Sequence, residues 1–328
     1  MTLRALDAHV SGAPVRLVVE GFPSPRGRSM FDRLMWADRH ADAVRRIVLH
    51  EPRGHRDLVG AVLTEPVSPG SHAGLLFMNS GGYVALSLHG ALAAAALALQ
   101  RGLLVPGSGE VVADTAAGTI RVRGPLAEPG ALLSIVGVPS FVSVPGLEVV
   151  VRGRRIRADV AFGGAFYAIV DGEAAGVAID GSHVPELRRI GVEIQEAIAA
   201  GRRFEHPVLP QLSTIGGTIF TGPASGEGRD LRCATVFDDG SIDRSVEGTS
   251  MAAVMAVLGA MGLLADDQRV VFEGLVGTTL GGRIAGRTLA AESEAIVPEV
   301  SAAVWPTAES AFIADERDPL REGFMVSP

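Results

Sequence analysis

A nineteen-residue apolar stretch occurs in this chain in two copies, and that limits what the chain can fold into. Residues 86–104 read LSLHGALAAAALALQRGLL, a run of small apolar residues entered through Ser-Leu-His-Gly. Residues 246–264 read VEGTSMAAVMAVLGAMGLL, entered through Glu-Gly-Thr-Ser, and both copies end in Gly-Leu-Leu. Ser87 precedes Gly102 by fifteen residues, as Glu247 precedes Gly262, and Phe77 and Phe237 each lie ten residues before Ser87 and Glu247. Downstream, Val111-Val112 and Gly118-Thr119 match Val270-Val271 and Gly277-Thr278 after a one-residue slip. An offset of about 160 in a chain of 328 residues predicts two structural halves, a duplicated pair.

Such a chain is long enough for two domains that each bury a core, and a hydrophobic content of 47% with mean hydropathy +0.30 is globular. The run 86–99 has a His near its start and stops at Gln100-Arg101, so it reads as a buried helix and not a membrane span. Met1-Thr2-Leu3-Arg4 leads directly to Asp7 and His9 without a secretory signal, so the cytoplasm is expected. A net charge of −8 gives no attraction for nucleic acid or anionic membrane. The single cysteine, Cys233, leaves no internal disulfide or cysteine metal cluster, and it sits in the strand-like LRCATVF as core. No spacing of His, Asp and Glu argues for a metal. All 29 basic residues are Arg. Without Lys there is no internal Schiff base for pyridoxal phosphate, so chemistry at the Cα–H of an amino acid would need no cofactor.

In chain order, residues 1–20 predict a strand, a Ser-Gly-Ala-Pro turn and a second strand at Val15–Val19. Residues 27–47 place Phe31, Leu34, Met35 and Trp36 at helical spacing and predict one amphipathic helix. EPRGHRDLVG (51–60) is turn-like; GAVLTEPV and His72–Met78 are strands, and Asn79-Ser80-Gly81-Gly82 turns into the first buried helix. Residues 109–123 and 132–152 are Val-rich strand material. The second half opens with VAFGGAFYAIVD, a strand interrupted by a Gly pair, and continues with a helix at 184–200. Strands near 215–221 and 231–237, the second buried helix, and strands at 269–272 and 283–290 follow, then a short closing region at 302–314. This is an α+β fold made twice, each sheet wrapped around its buried helix, with halves at 1–157 plus 300–328 and at 158–299.

The chemistry concentrates at the two helix entrances. A helix N-terminus offers unpaired N–H groups and a partial positive charge, which suits an anion. Gly90 with Ala91, and Gly248, Thr249 and Ser250, are small enough to let a carboxylate reach those amides. If the halves face each other, both ends grip one carboxylate, and Ser87 and Glu247 flank the Cα of an amino acid from opposite sides. The same two positions also suit plain helix caps. His55 reads as structural in its turn.

The chain resembles the proline racemase family, which includes hydroxyproline epimerases and trans-3-hydroxyproline dehydratases. Carrying the resemblance are Asp7-Ala-His-Val-Ser-Gly12, Glu51-Pro-Arg-Gly-His55 with Gly60-Ala61, Phe77-Met78 with Gly82-Tyr83, and His89-Gly90. The second half adds Phe220-Thr-Gly-Pro223, Asp243-Arg-Ser245, Gly248-Thr249, Asp318-Pro319 and Gly323-Phe324. It implies a pair of diaminopimelate-epimerase-like domains with the active site in the cleft between them, a proline-like substrate, and often a homodimer. Members typically carry Cys in Met-Cys-Gly-His-Gly and in Ser-Pro-Cys-Gly-Thr-Gly-Thr. At those places this chain has Leu86-Ser87-Leu88-His89-Gly90 and Ser245-Val246-Glu247-Gly248-Thr249-Ser250-Met251. Ser87 and Glu247 therefore replace both catalytic cysteines. By the same resemblance, His89 and Asp243 match positions that contact the ring nitrogen.

Two thiols racemise well because thiol and thiolate are both accessible near neutral pH, whereas a serine hydroxyl is a poor base without an activating neighbour. Glu247 is an acceptable base, although a helix N-terminus favours its ionised form and weakens it. One competent base favours one-sided proton removal, and so loss of a β-hydroxyl, over racemisation or epimerisation. Leu88, Ser250 and Met251 are bulkier than the family's usual residues and would crowd the anion site. That points alternatively to a catalytically silent amino-acid-binding protein, or to the same fold with a non-proline substrate.

Overall fold

The computed structural model describes residues 2–107 and 109–326 and divides into two compact units. The first holds the chain up to Ile135 and from Ala303 onward, and the second runs from Val136 to Ala302. In chain order the first unit has β1 (Thr2–Val10), β2 (Ala13–Glu20), α1 (Met30–His40), α2 (Asp42–Leu49), β3 (Val59–Thr64) and β4 (Ala73–Met78). It continues with β5 (Tyr83–Val84), α3 (Leu88–Gln100), β6 (Glu110–Thr115), β7 (Gly118–Arg123) and β8 (Leu132–Val136). The second has β9 (Phe141–Val151), β10 (Arg154–Phe162), β11 (Phe166–Asp171), α4 (Gly172–Ala175), α5 (Val184–Gly201) and β12 (Ile215–Gly222). After these come β13 (Leu231–Phe237), α6 (Gly248–Ala260), β14 (Val270–Glu273), β15 (Thr279–Ala290) and β16 (Ser293–Ile313), whose last residues pair with β1.

The duplication expected from the sequence is present in the strand pairing. In the first unit β1–β2 is antiparallel, β2–β3 parallel, β3–β4 antiparallel, β4–β6 parallel and β6–β7 antiparallel. In the second unit β10–β11, β11–β12, β12–β13, β13–β14 and β14–β15 repeat that series. Parallel neighbours need a crossover, and here each crossover carries helix: α1 and α2 or α4 and α5 at the first, α3 or α6 at the second. Both α3 and α6 have thirteen residues, of which eleven are buried. In the first unit α3 packs on β1, β2, β3 and β7, and in the second α6 packs on β9, β10, β11 and β15. Both end alike. Gly102 (φ 68°) and Gly262 (φ 71°) take the left-handed conformation, and the N–H groups of Leu103 and Leu263 donate to the carbonyls of Ala98 and Leu258, 2.8 Å each. The chain is therefore α+β, with a mixed sheet around one buried helix in each unit.

A carboxylate clamp is repeated as well. Asp114 at the end of β6 accepts from the N–H groups of Val67 (2.9 Å) and Ser68 (2.7 Å) and from the hydroxyls of Ser71 (2.8 Å) and Thr119 (3.1 Å), fixing the β3–β4 loop. Glu273 at the end of β14 accepts from Ser225 N–H (2.7 Å), Ser225 Oγ and Arg229, fixing the β12–β13 loop.

Three expectations need correction. The single helix over 27–47 is two, because Ala41 (φ −127°, ψ 11°) leaves the helix, and the turn lets Leu34 and Ala37 of α1 and Val44 and Ile47 of α2 bury separately. The short closing region at 302–314 is the outer half of the twenty-one-residue β16. The division falls not at 157/158 and 299/300 but at 135/136 and 302/303, and at the latter β16 leaves β15 for β1. No helix among the described residues is long and apolar enough to cross a membrane.

Candidate functional site

The approach to α3 is fixed from both sides. Strand β4 ends in a turn where Asn79 Oδ1 accepts from the N–H groups of Gly81 and Gly82, 2.9 Å each, and Asn79 N–H donates to Gly82 O at 2.9 Å. The buried Arg45 guanidinium holds the carbonyls of Asn79 (3.1 Å) and Ser80, and the ring of His50 lies 2.9 Å from Ser80 O. Burial pushes His50 below its usual value, so it stays neutral among these cations. The chain then reaches Ser87, which takes extended geometry (φ −133°, ψ 119°) as N-cap of α3 and accepts from Gly90 N–H at 3.0 Å. Ser87, His89 and Gly90 are all buried. A Cβ on Gly90 would lie 2.8 Å from the ring of Phe77, so this glycine is set by the packing of that ring.

The entrance to α6 is built differently. Glu247 (φ −65°, ψ 135°) is its N-cap; the carbonyl accepts from Met251 N–H at 2.9 Å, and Oε1 accepts from Thr249 N–H in a long contact of 3.4 Å. Asp243, four residues earlier, accepts from Glu247 N–H at 2.9 Å and so orients the cap. Two carboxylates lie here nearly out of solvent, Glu247 at 2% and Asp243 at 6% exposure, where a charge is costly unless bonded. The first-turn amides of Gly248 and Ser250 donate to no acceptor among the described residues, which leaves α6 with donors for an anion.

The side chains of that first turn are drawn away from its open end. Thr235 Oγ1 on β13 donates to Ser250 Oγ at 2.9 Å, and Thr249 Oγ1 lies 2.7 Å from Tyr167 Oη on β11. Burial raises the Tyr167 phenol well above its ordinary value, so it is a neutral hydroxyl. Met251 points at β15, where a Cβ on Gly282 would come 2.5 Å from its methyl. The expected crowding by Ser250 and Met251 is thus absorbed within the unit, and Leu88 is likewise buried at 1% exposure. Gly163 gives the β10–β11 turn its close approach to α6, since a Cβ there would lie 2.2 Å from Thr249 O.

Sequence reasoning did not single out Tyr167 or Thr235. Tyr167 is one of only two tyrosines and is flanked in β11 by apolar Phe166, Ala168, Ile169 and Val170, which calls for a buried polar partner. Elsewhere, Cys233 is buried on β13, and burial pushes its thiol far up, which leaves it inert. His9 accepts from Gly12 N–H at 3.2 Å in the β1–β2 turn.

Similarity to known proteins covers the whole chain. The proline racemase family profile matches residues 5–325. A 3-hydroxyproline 2-epimerase of Burkholderia multivorans is 35% identical over 99% of this chain and 98% of its own length. A trans-3-hydroxy-L-proline dehydratase of Burkholderia cenocepacia is 34% identical over the same shares. The crystal structure of a probable proline racemase from Agrobacterium radiobacter, with bound carbonate, matches with a TM-score of 0.92 at 25% identity, covering 99% of this chain and 96% of that one. Two relatives of near-equal identity carry different activities, so similarity sets the family and not the reaction. From residue 5 to residue 325, this chain belongs to the proline racemase family.

Proposed function

We propose that the protein dehydrates a proline-like amino acid bearing a hydroxyl β to its carboxylate, with trans-3-hydroxyproline as the leading candidate, and that Glu247 is its base. The observation that carries this reading is the contrast between the two caps. Ser87 gives its oxygen to Gly90 N–H at 3.0 Å, whereas Glu247 puts a carboxylate beside two unbonded amides at the start of α6. A substrate carboxylate on the Gly248, Thr249 and Ser250 amides brings its Cα–H to the neighbouring cap.

Stereochemistry favours the trans isomer. Its carboxylate and hydroxyl lie on opposite ring faces, so the Cα–H and the hydroxyl share one face. A single carboxylate on that face takes the Cα proton, and the electron pair forms the Cα–Cβ double bond as the C3–O bond breaks. Glu247, now neutral, returns the proton to the departing hydroxyl and water leaves. The enamine tautomerises to the cyclic imine. Epimerisation would need a second competent acid on the opposite face, a role for which a capping serine is poorly suited. In the same reading Asp243, which orients the Glu247 cap, meets the ring nitrogen. No cofactor enters these steps.

Incubation of the protein with the stereoisomers of proline, 3-hydroxyproline and 4-hydroxyproline, with product analysis by NMR, tests the reading. Cyclic imine from trans-3-hydroxyproline supports it. Inverted substrate without imine shows an epimerase, and tight binding without any product shows a silent binding protein; either result overturns it.

A further inference from the structure

We infer that Tyr167 is a positioning residue of the α6 anion site, acting through the hydroxyl of Thr249 to keep the first-turn amides open to the ligand. The inference rests on the proposed function insofar as the ligand is a carboxylate.

The hydroxyl set is wholly buried: Tyr167 at 3%, Thr235 at 1%, Thr249 at 1% and Ser250 at 0% exposure. It links β11 and β13 to the second and third residues of α6, through Tyr167 Oη to Thr249 Oγ1 at 2.7 Å and Thr235 Oγ1 to Ser250 Oγ at 2.9 Å. Thr249 also donates its backbone N–H towards Glu247 Oε1. One residue thus joins Tyr167 to the cap that holds the base.

The duplicated fold supplies an internal control. In the second unit Tyr167 is opposite Gly217 on β12, and Gly217 is opposite Phe237 on β13. In the first unit Leu17 is opposite Ala61 on β3, and Ala61 is opposite Phe77 on β4. Leu17 is therefore the counterpart of Tyr167. By the same register Thr235, opposite Ile219, corresponds to Leu75, opposite Leu63. Both leucines are buried, at 0% and 2% exposure. At both counterpart strand positions the first unit, which carries a buried helix of the same length, has an apolar side chain. The fold does not require hydroxyls at these places, and buried hydroxyls are unfavourable unless bonded. Their presence around α6 alone is explained by the helix entrance they serve. Without the bond to Tyr167, Thr249 loses its tie to β11, and the first turn frays from the position in which its amides meet a ligand.

The test is a double-mutant cycle with Tyr167→Phe and Thr249→Val, each of which removes a hydroxyl and little volume. Hydrogen exchange of the Thr249–Met251 amides is read without ligand, and KM and kcat are read with the substrate found by the isomer panel. We expect each single variant to raise KM about fivefold with kcat nearly unchanged, as loss of one buried hydrogen bond implies. Exchange should be faster in each, and the double variant no worse than either single one. Additive effects, or a fall in kcat at constant KM, would overturn the inference. The exchange measurement needs no substrate: coupled acceleration supports the inference even if the panel shows no turnover, which would fail only the functional reading. Unchanged exchange in both singles refutes the inference whatever the panel shows.

Discussion

Replacing Asp114 by alanine should destabilise the first unit by about 3–6 kcal/mol, because four donors lose their acceptor in a site that is 3% exposed. The Ser71 and Thr119 hydroxyls can turn to other partners, so most of the loss comes from the Val67 and Ser68 amides, which donate at 2.9 and 2.7 Å. A hydrogen bond to an ionised acceptor contributes roughly 1.5–3 kcal/mol each, hence the range. With a urea dependence of about 3 kcal/mol per molar, the midpoint falls by about 1–2 M. Asp114→Asn keeps one oxygen but turns an NH2 group towards donors, and should lose about half as much. The pH dependence has a definite sign. Burial alone would raise the Asp114 carboxyl, yet the Ser68 and Val67 amides and the Ser71 hydroxyl outweigh it and hold the group below its ordinary value of 3.8. A depressed folded value means that the stabilisation is full above 3.8 and is lost as pH falls through the folded value. The gap between urea melts of wild type and Asp114→Ala should therefore narrow as pH falls from about 7 towards about 3. A loss below about 1 kcal/mol at pH 7, or a gap that does not shrink with acid, refutes the clamp.

Gly90→Ala should destabilise by about 1–3 kcal/mol despite the better helix propensity of alanine, since its methyl would meet the Phe77 ring at 2.8 Å; Phe77→Leu should restore the denaturation midpoint. His206 packs edge-on to Phe141 and Phe162 and accepts from the N–H groups of Val208 and Leu209, 3.1 Å each, and burial lowers its value from 6.5. Its contribution is full above 6.5 and erodes as pH falls towards the folded value, so His206→Asn, which keeps an acceptor but does not titrate, should flatten the stability profile below 6.5.

Much of this molecule was legible in its sequence because the duplication is written in residues that do one physical job. The small-residue runs, their capping Ser87 and Glu247, and the closing Gly102 and Gly262 determine two buried helices almost without reference to the rest. What stayed hidden depends on tertiary packing. The break at Ala41 has no marker, because alanine is itself a strong helix former. The outer half of β16 was missed because residues 305–309 are exposed on both faces, so no alternation marks them as strand. The hydroxyl set was missed because Tyr167, Thr235 and Thr249 are distant in sequence and meet only when β11 and β13 pack under α6. Crowding by Ser250 and Met251 was over-read for the same reason: their directions are decided by Thr235 and Gly282.

The central claim is that Glu247 removes the Cα proton, and deuterium incorporation at Cα measures it most directly. In deuterated buffer with trans-3-hydroxyproline, the wild type should release imine, and Glu247→Gln should abolish both imine formation and any exchange at Cα while the substrate still binds. Ser87→Ala should retain turnover. Undiminished exchange in Glu247→Gln, or its complete loss in Ser87→Ala with Glu247 intact, would contradict the assignment.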